Sequence, residues 1–144
     1  MDNIIKGNNY EVFIKNHIIN NLNKNAYLWN DIPENILLHA KLIHSHNEER
    51  IKRKNKFKNK LIDVGVDILQ INDNSYNLVQ CKNGYNNGIK IKDLAGFYMM
   101  MFNHSYHFGT VYYTSKLSIH IKENAINNKI EYGRRVFLLF KWFI

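Results

Sequence analysis

Two apolar runs separated by a four-residue polar break constrain this chain more than any other feature. Residues 61–71 and 76–82 each have the β-branched and aromatic content of a strand, and Asn72-Asp73-Asn74-Ser75 between them is good turn sequence. Side chains alternate along a strand, so Gln80 and Lys82 share one face and Cys81 points to the other, toward a core. Asp67 lies thirteen residues before Gln80, across the turn, and a hairpin there brings Asp67, Gln80 and Lys82 together. A carboxylate, an amide oxygen and a lysine grouped in this way can hold Mg²⁺ and position a water, because magnesium takes hard oxygen ligands and keeps several waters. The lysine can then orient or deprotonate that water.

Periodicity on either side of the hairpin predicts a single mixed α/β domain, as 144 residues allow. Asn8 or Asn9 can cap a helix reaching to about Leu22, with Tyr10, Phe13, Ile14 and Ile18 on its apolar face. Glu11 borders that face, where it suits either a ligand role or the dipole of a first helical turn. Residues 26–29 read as a short strand, and Pro33 opens a second helix carrying Ile36, Leu37, Ala40 and Ile43. Residues 83–88 form a glycine-containing loop, after which Asp93 caps a helix with Leu94, Phe97, Tyr98 and Met101 in its core stripe. A strand over 109–114, a helix over 116–128, and strands over 130–132 and 136–140 complete the order. Met99, Met100 and Met101 are expected to pack in the core.

The charge balance points to a polyanion. Twenty Lys+Arg against twelve Asp+Glu give a formal net charge of +8, which suits nucleic acid first and an acidic membrane surface second. Twenty-three asparagines, nineteen isoleucines and sixteen lysines indicate an AT-rich genome, such as that of a large DNA virus or a low-GC microbe. Codon bias does not explain clustering, however, and residues 48–60 alone carry seven basic and two acidic residues. Arg50, Arg53, Lys54, Lys56 and Lys58 in that segment are candidate phosphate contacts, as are Lys90 and Lys92 just past the glycine loop. One cysteine excludes an internal disulfide framework and a multi-cysteine zinc site, and fits a reducing, intracellular compartment. His39, His44 and His46 lack the partners that would complete a zinc site and read as surface histidines. Residues 1–12 contain no signal core, and 94–115 are broken by polar residues, so no membrane span is expected.

Asp63-Val64-Gly65-Val66-Asp67 and Val79-Gln80-Cys81-Lys82 resemble the D-x-G-x-D and V-Q-x-K segments of the PD-(D/E)XK, or restriction-endonuclease-like, nucleases in their Mrr-like branch (D…QxK). Gly7-Asn8-Asn9-Tyr10-Glu11 resembles the family's opening helix, and Asp93-Leu94-Ala95-Gly96 its following helix, so the likeness covers about residues 7–132. The resemblance implies an αβββαβ core, a mixed central sheet flanked by helices, and Mg²⁺- or Mn²⁺-dependent hydrolysis of DNA phosphodiesters. It further implies Asp67 as the essential metal ligand, with the Gln80 amide oxygen, the Cys81 carbonyl and Glu11 completing the shell, and Lys82 as the catalytic lysine. Restriction, repair or recombination would share this chemistry, and a homodimer or a helicase-type domain is the expected associate. Because glutamine removes one negative charge from the usual acid pair, the alternatives are a catalytically inactive nucleic-acid-binding module and a Holliday-junction-resolvase-like enzyme. The apolar stretch over 137–144 fits burial against a partner, as in a free-standing or truncated counterpart of a larger nuclease.

Overall fold

The hairpin forms where the turn sequence puts it. Asn72 N donates to Ser75 O at 2.9 Å, and strands β2 (Ile68–Ile71) and β3 (Tyr76–Lys82) pair antiparallel with Ile68 opposite Val79. The computed structural model describes residues 3–42, 65–104, 106–123 and 129–136. Within them the remaining elements are helix α1 (Asn3–Asn21), β1 (Asn25–Leu28), α2 (Glu34–His39), α3 (Ala95–Asn103), β4 (Phe108–Tyr113), α4 (Ile119–Glu123) and β5 (Ile130–Arg134).

Among the described residues five strands make one mixed sheet in the order β1-β2-β3-β4-β5. Strand β2 runs antiparallel to both β1 and β3, while β3, β4 and β5 are parallel. Parallel neighbours require crossovers, and α3 and α4 supply them. On one face α1 buries Tyr10, Ile14 and Ile18, spaced four apart, against Ala26, Ile68, Val79 and Tyr112. The other face holds the larger core of Leu69, Leu78 and Val111 beneath Leu37 of α2, Phe97, Met100 and Met101 of α3, and Ile121 of α4.

Several boundaries differ from expectation for local reasons. Regular pairing in β2 begins only at Ile68, because Gly65 takes a left-handed φ of +86°. A Cβ at Gly65 would stand 2.6 Å from the backbone of Gly96 and Phe97, so glycine is needed both for the turn and for the close approach to α3. Helix α1 starts at Asn3, well before Asn8 or Asn9. Glu11 thus lies about two turns inside it, beyond the reach of the helix dipole, which removes the capping account of that residue. Pro33 sits at the N-cap of α2, which begins at Glu34, one position after the expected start. Asp93 does not cap α3; its Oδ2 accepts from Lys90 N at 2.8 Å within a 3-10 turn, Ile91–Leu94. Met99 is 59% exposed and is not core. Strand β5 runs through Arg134, past the end of the expected 130–132 segment. Residues 61–64, 124–128 and 137–144 lie outside the described residues, and so do the parts of the expected strands, helix and terminal apolar stretch that fall on them.

Candidate functional site

Asp67 is held by main-chain bonds on both sides. Its N–H donates to Val79 O at 2.8 Å, and its carbonyl accepts from Trp29 N at 2.8 Å. Continuing the β2–β3 register by one step sets Asp67 opposite Gln80. There Gln80 Nε2 donates to Asp67 Oδ2 at 2.6 Å, and Cys81 N donates to the same oxygen at 2.7 Å. Gln80 is 6% exposed, so this amide–carboxylate contact is made largely out of water, where it is electrostatically stronger. Gln80 Nε2 also approaches Cys81 O at 3.3 Å.

Cys81 lies on the opposite face, packed into the core beneath α1. Burial pushes its thiol pKa up, the negative charges of Asp67 and Glu11 push it further, and Lys82 partly offsets them. A thiol held neutral in this way is a poor nucleophile, which agrees with a structural side chain. Glu11 stands on α1, the helix that covers the Cys81 face of the sheet, opposite the face of Gln80 and Lys82. Tyr10, next to Glu11, ties α1 to the far edge of the sheet by donating from its hydroxyl to Arg135 O at 2.7 Å.

Lys82 shares a face with Gln80, but its ammonium is engaged with Tyr85. Nζ stands 3.4 Å from the Tyr85 hydroxyl and 5.4 Å from the ring centroid. Tyr85 has a left-handed φ of +56° in the loop between Gly84 and Gly88. That loop is anchored to the end of β4: Thr114 N donates to Lys82 O, Gly84 N donates to Thr114 Oγ1, and Thr114 Oγ1 donates to Asn83 Oδ1, at 3.3, 3.0 and 3.1 Å. Sequence reasoning missed Tyr85 and Thr114. Thr114 comes from a later strand, and only the Gly84–Gly88 spacing marks the loop.

Lys90 and Lys92 are exposed beyond this loop. Arg50, Arg53, Lys54, Lys56 and Lys58, together with Asp63, His44 and His46, lie outside the described residues. His39 is exposed, with Nδ1 2.5 Å from the Tyr76 hydroxyl.

Among the described residues no three His, Cys, Asp or Glu side chains are grouped to hold a metal. The available donors are oxygens on neighbouring positions of the hairpin: the Asp67 carboxylate, the Gln80 amide and the Cys81 carbonyl. This donor set suits a hard divalent cation. As arranged, however, the amide nitrogen of Gln80, not the expected Oε1, is turned to Asp67 and to Cys81 O. The cause is that a carboxylate beside a neutral amide is satisfied by the N–H end. A half-turn about the terminal torsion, which is roughly two-fold, exchanges the ends. No family model, curated protein or solved structure matches the chain. Among the described residues no helix is long and apolar enough to cross a membrane.

Proposed function

We propose that the chain is a divalent-metal-dependent DNA endonuclease on a restriction-endonuclease-like core, in the Mrr-like D…QxK form. The observation that carries this reading is the direct pairing of Asp67 with Gln80 across the hairpin, 2.6 Å apart, with Lys82 two residues further along the same face. The succession of one helix, three antiparallel strands, a helix and a parallel strand is in keeping with an αβββαβ core once α2 is set aside.

On this reading Asp67, the Gln80 amide oxygen after its half-turn, and the Cys81 carbonyl hold Mg²⁺ or Mn²⁺, with Glu11 contributing directly or through water. Such an ion supplies Lewis-acid stabilisation of the developing charge on phosphorus-bound oxygen and lowers the pKa of a bound water. Once it leaves the Tyr85 hydroxyl, Lys82 orients the attacking water as an ammonium, or takes its proton when it is the neutral amine. Tyr85 and Thr114 fix the loop from which Lys82 projects. The basic residues over 50–58, with Lys90 and Lys92, take backbone phosphates.

One observation favours a second reading. The Gln80 N–H already satisfies Asp67 Oδ2, which is an arrangement complete without metal and suited to an inactive DNA-binding module. Nicking of supercoiled plasmid in Mg²⁺ or Mn²⁺, compared with EDTA, separates the two. The endonuclease nicks, and Asp67→Ala and Lys82→Ala each abolish nicking while DNA binding persists. Binding without nicking in either metal identifies the inactive module, and the absence of both overturns the proposal. Parallel assays on linear, branched and single-stranded DNA distinguish a junction-resolving enzyme, which would cut the branched substrate preferentially.

A further inference from the structure

The carboxyl ends of three parallel strands gather beside the Asp67–Gln80 pair. Their register aligns Lys82 with Tyr113 and Tyr113 with Arg134. Residues in register on adjacent strands share a face, so Lys82, Tyr113 and Arg134 form a row across the end of the sheet. Neighbouring strands lie about 4.8 Å apart, which puts the Cα atoms of Lys82 and Arg134 roughly 10 Å apart. Glu131, three residues before Arg134, alternates to the opposite face and adds no acid to the row.

Arg134 is fixed in place by backbone carbonyls. Arg134 Nε donates to Thr114 O at 3.1 Å and to Ser115 O at 3.0 Å. Those bonds use one of the five guanidinium N–H donors and leave the four on the terminal nitrogens. Lys116 is exposed, with its stem lying along Gly88: a Cβ there would be 3.4 Å from Lys116 Cγ and 3.5 Å from Cε. Its main chain pairs with the loop, since Ile89 N donates to Lys116 O at 2.8 Å and Ser118 N donates to Ile89 O at 2.8 Å. The loop after β3 and the turn after β4 are therefore one hydrogen-bonded platform: Lys82 stands at its entry from β3, Lys116 projects from it, and Arg134 reaches it from the end of β5.

A planar fork held by backbone carbonyls loses little further rotamer entropy when it meets a phosphate. We propose that Lys116 and Arg134 form a phosphate track for a DNA strand, leading from Asp67 and Lys82 across the ends of β4 and β5, with Arg134 seating a phosphate that flanks the one cut. This inference rests on the endonuclease reading and adds to it the side of the molecule along which the strand runs.

The test reads binding apart from chemistry. Fluorescence anisotropy of a short labelled duplex is measured in EDTA across a potassium chloride series. The proteins compared are wild type, Arg134→Gln, Lys116→Gln, the double variant, Arg134→Lys, and Lys41→Gln as a charge control. The same proteins are assayed for plasmid nicking in Mg²⁺ and Mn²⁺. Each glutamine variant should lower the slope of log affinity against log salt by about 0.9, and the double variant by about 1.8. Lys41→Gln should leave the slope unchanged. Arg134→Lys keeps the charge and should keep the slope. In cleavage, KM should rise severalfold for Arg134→Gln with a smaller change in kcat. Parallel salt slopes in a wild type that nicks DNA overturn the track alone. Loss of slope in Arg134→Lys reduces Arg134 to a prop for the 114–118 turn and also overturns it. Lowered slopes in a wild type that never nicks overturn the endonuclease reading and keep the track as a DNA-binding surface.

Discussion

At the buried Gln80 a neutral amide meets a half-buried carboxylate, and its protons are what make the contact favourable. Gln80→Glu exchanges that donor for a second negative charge beside Asp67 Oδ2. Without metal, like charges at this distance drive one carboxyl to take up a proton, and at neutral pH that uptake costs folding free energy. With Mg²⁺ the same pair becomes a stronger ligand set. The variant should therefore melt below wild type in EDTA and gain more from added Mg²⁺ than wild type does. A melting point independent of Mg²⁺ would remove Gln80 from any metal site. The Asp67–Gln80 contact was legible in the sequence because a short turn and the two-residue period of strands fix it locally. Tyr85 was not. Its left-handed backbone and its hold on Lys82 depend on Thr114, some thirty residues later, and no local pattern encodes that meeting.

Elements were legible where the pattern of one segment sufficed, and less so where a neighbour sets the boundary. β3 occupies the residues its sequence indicates, whereas β2 is cut back because Gly65 must turn against the start of α3. Gly65→Ala should be costly: it combines a left-handed φ, worth about 1–3 kcal/mol of strain, with a Cβ 2.6 Å from backbone atoms that have no room to move. A melting temperature equal to wild type would contradict the close approach. The end of α2 shows a second dependence on distant residues. His107 Nε2 donates to Ala40 O at 2.7 Å, and His104 Nε2 lies 3.1 Å from Lys41 O, satisfying carbonyls that a helix end leaves without partners. Burial holds the His107 pKa below its ordinary 6.5, with His104, Lys129 and Lys41 pushing the same way against the bond to Ala40. The folded state thus binds fewer protons than the unfolded one. The stability this contributes is complete above pH 6.5 and is lost as pH falls from there through the lower folded value. Melting temperature should decline on acidification through that window. His107→Gln, which keeps a donor for Ala40, should melt slightly lower at neutral pH and decline less steeply, with His17 accounting for part of the remainder, since burial lowers its pKa too.

For the molecule as a whole, two groups of cations have different standing. At the strand ends Arg134 is held by backbone carbonyls, and sheet register sets it in a row with Lys82. The +5 carried by residues 48–60 is a property of the sequence; Arg50, Arg53, Lys54, Lys56 and Lys58 lie outside the described residues, and codon bias toward lysine is the competing account of them. The two accounts separate in a salt titration. If these side chains take phosphates, replacing all five by alanine should weaken binding to every duplex sequence alike, because phosphate contacts carry no base information. It should also lower the salt slope by roughly 0.9 for each phosphate no longer neutralised. Cleavage at saturating DNA should fall less than affinity, since Asp67, Gln80 and Lys82 stand on the β2–β3 hairpin and not on that segment. Combination with Arg134→Gln sharpens the result: independent sets of phosphates lower the slope additively, whereas one shared set yields less than the sum. A five-site variant whose slope parallels wild type would return the segment to solvent and leave the strand-end platform to carry the electrostatics of binding.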